Sequence, residues 1–241
     1  MTARNILTAF FLLLVSNLSH AVTVTTAAAS IDWNTFTVSS IPLPGPSGPA
    51  ISISPDRDFS SAQNNTTLDE DEALYTSAVS FDDLTLALVE NNGAESTTNP
   101  EPGKLESWAE AINPGFASAI TQREGSGIVA AGSGILVFSV GYTLDVNSVF
   151  SEGQGTARAD IFAFNDTTGA EGHGWDLVEV IGAGVSSASG FISSSIFVNP
   201  GDTISILAST TASASVVPLP PAFWLFAFAL IGVASVARRR T

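Results

Sequence analysis

The sequence predicts an all-β protein, an antiparallel β-sandwich of jelly-roll-like arrangement, with an N-terminal signal peptide and a single C-terminal transmembrane helix. Long segments alternate apolar and polar residues at period two. Turn residues separate these segments and helices do not alternate with them, which favours a sandwich. Both chain ends carry apolar runs unlike the rest. We therefore expect a signal peptide over 1–21, an extracytoplasmic sandwich domain over 22–215, and a tail over 216–241.

The first twenty-one residues have the layout of a secretory signal peptide. Arg4 precedes residues 6–15, which are apolar apart from Thr8, and Ser19-His20-Ala21 supplies small residues around a larger one. The apolar core is about ten residues long, whereas a helix needs roughly twenty to span a bilayer. We expect cleavage after Ala21 rather than a permanent anchor.

The clearest strand pattern lies over 134–147, where apolar residues alternate with small or polar ones. Six positions at strict period two predict a long strand with one buried face. Gly141 is expected to mark a bulge or bend. The six apolar positions are Leu136, Phe138, Val140, Tyr142, Leu144 and Val146.

Further strands are predicted on both sides of this one. An edge strand is expected over 29–40 and another strand over 81–90, with Leu84, Leu86 and Leu88 on one face. Residues 156–166 and 191–209 carry the same alternation, the second as a hairpin around a type II turn at Asn199-Pro200-Gly201-Asp202. The buried sets are Ala157, Ala159, Ile161 and Ala163, then Ile192, Ile196, Val198, Ile204, Ile206 and Ala208.

Three stretches do not show the clear strand pattern of the segments above. Residues 41–65 are rich in Pro, Gly and Ser and are expected to wrap the outside. The Ala and Ser residues of 207–215 resemble a spacer. Leu105, Trp108, Ala109 and Ile112 have helical spacing before Asn113-Pro114, which predicts a short helix.

The charge of the body limits its partners. All 23 acidic residues lie between the two apolar ends, against four basic residues, so the body has a formal charge of −19. Such a surface repels nucleic acid and anionic lipid and favours solubility. The chain has no cysteine, so neither disulfides nor thiolate chemistry contribute.

The C-terminus combines a proline-rich step, an apolar run and a basic cluster. Residues 221–237 carry no charge and would form a helix of about 25 Å. Three arginines would hold the end of that helix in the cytoplasm. We expect an exported body, one membrane span and a short cytoplasmic stop. The basic cluster is Arg238, Arg239 and Arg240.

The proline-rich step, the apolar run and the basic cluster, in this order, resemble the PEP-CTERM sorting domain in its proteobacterial V-P-L-P variant. In this chain Leu219 stands where the Glu that gives the family its name would be. The resemblance covers about a tenth of the chain. It implies an exosortase as partner. This enzyme would cut near the V-P-L-P box, residues 217–220, and so release the protein from a transient stay in the inner membrane. The body then reaches the envelope surface or exopolysaccharide matrix of a Gram-negative bacterium. The residues that carry the resemblance are Val217, Pro218, Leu219, Pro220, Trp224, Leu225, Phe226, Gly232, Arg238, Arg239 and Arg240.

Catalytic patterns are weak in this sequence, and we expect no enzyme activity. His173 is the histidine left after signal cleavage, and no nucleophile motif accompanies it, so we interpret it as an incidental surface residue. Acidic pairs such as Glu106 with Glu110, or Asp82 with Asp83, leave a glycan hydrolase as the weakest alternative.

No cofactor is expected, with Ca²⁺ as the alternative. Oxygen-rich stretches supply suitable ligands at Asp56 and Asp58, and again at Asp69 and Asp71, but neither has EF-hand spacing. Such stretches are also simply soluble.

The tryptophans of the body, Trp33, Trp108 and Trp175, have two interpretations. Trp108 and Trp175 are the positions at which sugar stacking would be tested, whereas core filling is the usual fate of such side chains. The sequence thus predicts a non-catalytic exported surface or matrix protein, and alternatively a carbohydrate-binding module for the same exopolysaccharide.

Overall fold

A computed structural model of the chain describes residues 24–44, 48–66, 69–77, 87–91, 94–98, 103–112, 115–149 and 151–216, with side chains at all of these except 55–98. The predicted signal peptide lies outside the described residues, as does the tail after Val216. Within the described ranges, no helix is long and apolar enough to cross a membrane.

The described residues form antiparallel strands in two sheets. The strands are β1 (Val24–Pro42), β2 (Ala50–Ile51), β3 (Ser54–Thr66), β4 (Asp69–Ser77), β5 (Ala87–Asn91), β6 (Ala94–Thr98), β7 (Lys104–Ile112), β8 (Gly115–Ala131), β9 (Gly134–Ser148), β10 (Gly153–Asn165), β11 (Ala170–Ile181), β12 (Gly184–Val198) and β13 (Thr203–Val216). The first sheet has the order β12-β9-β1-β7-β6-β5, and the second has the order β11-β10-β13-β8-β3-β4, with the short β2 paired to β8.

The two sheets pack face to face as a sandwich. From β7 onward, each strand crosses to the other sheet except at the β10–β11 hairpin. Alternate side chains of both sheets therefore meet in one core. The all-β antiparallel sandwich predicted from period-two alternation is confirmed.

The two best-defined strand predictions are also confirmed. On β9, Leu136, Phe138 and Val140 are fully buried, as are Leu144 and Val146, while Tyr142 is partly exposed. On β10 the predicted face is buried throughout, at Ala157, Ala159, Ile161 and Ala163.

The predicted helix over 104–115 is wrong, because this segment is β7. Leu105, Ser107, Ala109 and Ala111 are buried in alternation. Pairing with β1 on one side and β6 on the other uses the backbone groups that a helix would have bonded internally. Trp108, which the helical spacing placed beside Leu105, lies on the opposite face of the strand.

The first strand is not at an edge, because β1 lies between β9 and β7. Its pairing with β9 shifts register between Asp32 and Thr37. The Gly141 N–H donates to Thr35 Oγ1 at 2.7 Å inside this irregularity. The predicted bulge therefore occurs beside Gly141, but the extra residues belong to the neighbouring strand.

The turn at 199–202 is confirmed, but the hairpin is wrong. Asp202 N–H donates to the Asn199 carbonyl at 3.1 Å, and Gly201 has φ of 88°, as a type II turn requires. The flanking strands join different sheets, β12 beside β9 and β13 between β10 and β8. Their apolar faces are both buried as expected, but β12 faces β11 and β13 faces β1 and β7 across the core.

Two stretches expected outside the regular structure belong to the second sheet. β3 lies within 41–65, and the supposed spacer of 207–215 is part of β13 between β10 and β8. Small residues suit that position, because Ala208, Ala212 and Ala214 are fully buried under the first sheet. Of the strand predicted over 81–90, Leu88 lies in β5, whereas Leu84 and Leu86 are outside the described residues.

Candidate functional site

An aromatic and ionic surface covers the outside of the β10–β11 hairpin. We call it the outer aromatic face and define it by Arg158, Asp160 and Phe162 on β10, with His173 and Trp175 on β11. Alternate residues of β10 fill the core, so these three lie on its outer side. The register places Trp175 opposite Asp160 and His173 opposite Phe162.

Glycines determine how β11 presents this face. A Cβ built on Gly172 would lie 2.3 Å from the Ser195 carbonyl oxygen, and one on Gly174 would lie 2.0 Å from that of Ser193. The inner side of β11 therefore packs directly on the backbone of β12. This contact turns the intervening His173 outward with Trp175.

His173 is held by two neighbours. Its ring stacks on Phe162 with centroids 3.8 Å apart and an interplanar angle of 11°. Its Nε2 is 2.8 Å from Asp160 Oδ1. The interpretation of His173 as an incidental surface residue is therefore not supported, because the side chain is part of an organised cluster.

Asp160 is the centre of the ionic part. Its side chain is only 6% exposed, and its Oδ1 accepts hydrogen bonds from Arg158 Nε at 3.0 Å and Nη2 at 2.5 Å. A buried carboxylate is costly unless it is paired, and the two basic neighbours supply that pairing. The Arg-x-Asp-x-Phe alternation of β10 is the sequence signal that would have pointed to this cluster.

Trp175 is the most accessible aromatic ring of this face. The residue is 55% exposed, and the Arg158 guanidinium carbon lies 5.3 Å from its ring centroid. The cation–π contact orients the indole, and a large part of its surface remains open. An oriented, exposed aromatic ring beside hydrogen-bonding groups is the combination that recognises the apolar face and hydroxyls of a sugar ring.

Trp108 lies on the other side of the molecule. It occupies the outer face of the first sheet, in a shallow groove of ≈ 270 Å³. The two tryptophans predicted as sugar-stacking positions therefore do not form one platform. The groove is lined by Ala28, Ala29, Ser30, Glu106, Ser107, Trp108, Thr143 and Asp145.

Trp33 fills space instead of forming a surface. Its ring stacks on Phe36 at 4.4 Å, and the buried guanidinium of Arg123 lies 5.6 Å from its centroid. The residue packs against the core, which is the competing interpretation of the tryptophans stated above.

The stretches considered for Ca²⁺ lie at opposite ends of the β3–β4 hairpin. Asp58 is opposite Ser77, whereas Asp71 is opposite Asn64 and Asp69 opposite Thr66. Six residues of strand, about 20 Å, separate positions 58 and 64. Asp56 is also on β3, two residues from Asp58, so the backbone does not bring the two stretches together. Among the described residues, no three His, Asp or Glu side chains are grouped so that they could hold a metal ion.

A row of glutamates on the first sheet was missed by sequence reasoning. Glu90 is directly opposite Glu95, which is directly opposite Glu110. Glu110 and Glu106, considered above as an acidic pair, share one face of β7 with Cα atoms about 13 Å apart. The other pair, Asp82 and Asp83, lies outside the described residues.

The predicted sorting residues, from Val217 to Arg240, also lie outside the described residues. The last described residue is Val216, which pairs with Gly153 and Gly115 at the end of the second sheet.

Comparison with known proteins adds little. No family model matches the chain, and no curated protein matches it significantly. Among solved structures, the 7S globulin of Momordica charantia matches at 8% identity over 78% of this chain and 69% of the globulin chain, with a TM-score of 0.11. A TM-score this low does not support a shared fold.

Proposed function

We propose that the protein is a non-catalytic component of the cell surface or extracellular matrix, exported and then processed by an exosortase. The observation that carries this proposal is the order of box, apolar run and arginine cluster in residues 217–240. Residues 221–237 hold the precursor in the inner membrane, and cleavage near Pro218 and Pro220 releases the body. Its charge of −19 then suits a hydrated, cation-rich matrix.

The experiment that tests this proposal is the intact mass of the protein isolated from the cell surface. The expected mass lacks residues 1–21 and the segment after the box. A surface form that retains Trp224 and the terminal arginines would show a permanent anchor instead. Replacing Arg238, Arg239 and Arg240 by Glu should reduce the trimmed surface form, because the stop against translocation is lost.

The proposed lack of catalysis rests on the sequence, in which no nucleophile motif accompanies His173. In the structure its Nε2 is 2.8 Å from Asp160 Oδ1 and its ring is stacked on Phe162, so it belongs to the outer aromatic face. Assay of the purified body on surface polysaccharide should give no soluble sugar product.

The strand order supports the jelly-roll arrangement that the sequence predicts. The set β7-β1-β9-β12 faces the set β8-β13-β10-β11. We propose that this is the strand order of an eight-stranded jelly roll in which β1, at the start of the chain, takes the place of the last strand. The first and last strands of such a permuted roll leave the body near each other.

A second function, binding of the exopolysaccharide, is favoured by the outer aromatic face. Trp175 is exposed and oriented by Arg158, while His173 and Asp160 offer polar groups nearby. Retention on insoluble glycans should fall at least about fivefold in Trp175→Ala, if a sugar ring stacks on the indole with the ~1–3 kcal/mol that a base contributes on one aromatic ring. Trp108→Ala tests the groove of the first sheet separately, and equal retention of both variants and wild type would contradict glycan binding.

We also propose weak Ca²⁺ binding by the body of the exported protein. It is carried by the composition of the 56–58 and 69–72 stretches, and the register gives it no single site. Calorimetric titration of the body with Ca²⁺, at the millimolar affinity of extracellular modules, tests it directly.

A further inference from the structure

The described body begins and ends at the same end of the sandwich, which we call the terminal end. Val149 N–H donates to the Val24 carbonyl at 3.2 Å, and Thr25 is opposite Ser148. On the other sheet, Val216 is opposite Gly153. A Cβ on Gly153 would lie 2.1 Å from Ser148 Oγ, so the ends of the two sheets are in contact. The chain therefore enters and leaves the body at one place.

The tether to the proposed membrane span is short. Four residues, 217–220, separate Val216 from position 221, where the uncharged run starts. Fully extended, they reach about 14 Å. The headgroup layer on each side of a bilayer is about 5–8 Å thick. The terminal end of an uncleaved precursor is therefore held against the headgroups.

The terminal end has an apolar half and an acidic half. Around the ends of β9, β11 and β12, Val149 is 57% exposed, and Ile181 and Val185 are each 75% exposed. On the β5–β7 side, the row of Glu90, Glu95 and Glu110 lies one residue from the same end. The short β11–β12 connection keeps Ile181 and Val185 at this end, where Gly182 N–H donates to the Gly153 carbonyl at 2.8 Å.

We propose that, in the membrane-anchored precursor, the body leans on the bilayer interface through Val149, Ile181 and Val185. This inference rests on the proposed function, because it needs the tail in the membrane. The apolar half gains from leaving water, and the glutamate row is kept away from anionic headgroups. The orientation leaves the cleavage box in the narrow space between the body and the membrane.

Exposed apolar residues at the other end define the competing orientation. Ile41, Ile135 and Phe197 lie in one row across β1, β9 and β12 near the turn at 199–202. β9 is 15 residues long, so this row is about 45 Å from the terminal end. The tether of about 14 Å fixes only the terminal end, so this row would reach the bilayer only in a body that lies flat on its first sheet, and position 197 distinguishes the two orientations.

Single cysteines test the orientation directly, because the chain has none of its own. The full chain from residue 22 is reconstituted in vesicles of phosphatidylethanolamine with a minor fraction of phosphatidylglycerol. Ile181→Cys and Val185→Cys carry an environment-sensitive fluorophore, and nitroxide-labelled headgroups act as the quencher. Glu110→Cys reports on the acidic half and Phe197→Cys on the far end of the first sheet.

The expected result is severalfold stronger quenching at 181 and 185 than at 110, with none at 197. Quenching at 197 that equals the value at 185 would show a body that lies flat and would overturn the orientation. Quenching at 110 that equals the value at 185 would show that the apolar half is not the side in contact. Co-flotation of the chain with the vesicles is scored in parallel. A chain that does not float contradicts the membrane span itself and removes the basis of the inference, whereas a floating chain with unquenched cysteines contradicts the inference alone.

Discussion

The Tyr142 hydroxyl on β9 donates a hydrogen bond to the Asp176 carboxylate on β11, which joins the two sheets through one polar contact. Asp176 also accepts from the Leu177 N–H at 2.8 Å, so the carboxylate is fixed in place. The contact lies where β11 crosses over β9 and β12, beneath the outer aromatic face. Because Asp176 is next to Trp175 on β11, the same contact holds the strand that carries Trp175 against the other sheet.

The hydrogen bond to Asp176 raises the pKa of Tyr142, with burial and the carboxylate charge acting in the same direction. A raised folded-state pKa means that the stabilisation is complete below the unfolded value of about 10 and is lost as pH rises through the folded value. We expect Tyr142→Phe to lower the free energy of unfolding by about 1 kcal/mol at neutral pH. Urea unfolding of both proteins should show this difference shrinking above pH ~10.

Tyr75→Phe supplies the control, because the chain has two tyrosines. In that variant the ultraviolet absorbance of tyrosinate reports Tyr142 alone. A midpoint at or below that of the urea-unfolded chain would contradict the hydrogen bond.

Gly174→Ala should destabilise the protein by more than about 2 kcal/mol, because its Cβ would meet the Ser193 carbonyl at 2.0 Å and backbone must move. Gly190→Ala is the matched control, on β12 of the other sheet, which packs on β11. Its Cβ would lie 3.6 Å from the Tyr142 ring, an ordinary contact, so its midpoint in urea should change little. Equal effects of the two substitutions would show that β11 does not pack on β12 as described.

Asp160→Asn should cost about 1–3 kcal/mol, because a buried carboxylate with two basic partners loses its charge. Trp175→Ala should change stability by less than about 0.5 kcal/mol, because the ring is exposed. Chemical denaturation of both variants separates the supporting role of Asp160 from the binding role proposed for Trp175. A large loss in Trp175→Ala would assign that ring to folding.

Glu95→Lys should stabilise the first sheet, because position 95 lies between Glu90 and Glu110 and like charges in opposite positions repel. The expected gain is about 0.5–1 kcal/mol at low ionic strength, measured by thermal unfolding. Added salt should reduce this gain, since salt screens the repulsion between like charges. Glu95→Gln should give a smaller gain, and a salt-independent effect would point away from charge repulsion.

The helix error at 104–115 shows where local patterns stop being decisive. Leu105, Trp108, Ala109 and Ile112 satisfy a helical spacing, yet Leu105, Ser107 and Ala109 satisfy period two equally well. Short runs that contain small residues fit both periods, and tertiary pairing with β1 and β6 decided between them. The second half of β13 was missed for a different reason, since its alanines and serines resemble a spacer.

The candidate site was predicted only in part. Trp175 was identified from its residue type, but its partners were not, because Arg158 and Asp160 are 15 or more positions away in sequence. His173 was dismissed since neither Phe162 nor Asp160 is near it along the chain. Cross-strand neighbours become visible only when the register of β10 against β11 is known.

The sequence by itself determined that β9, β10 and β12 are extended, which side of β9 and β10 is buried, and that the chain turns at Pro200-Gly201. These properties follow from side-chain alternation and backbone restrictions that act within a few residues. The tertiary structure alone decided which sheet each strand joins, that β12 faces β11 while β13 faces β1 and β7 across the core, and which charges meet. Period-two alternation says that one face is buried but not by what, and that choice depends on packing between distant parts of the chain.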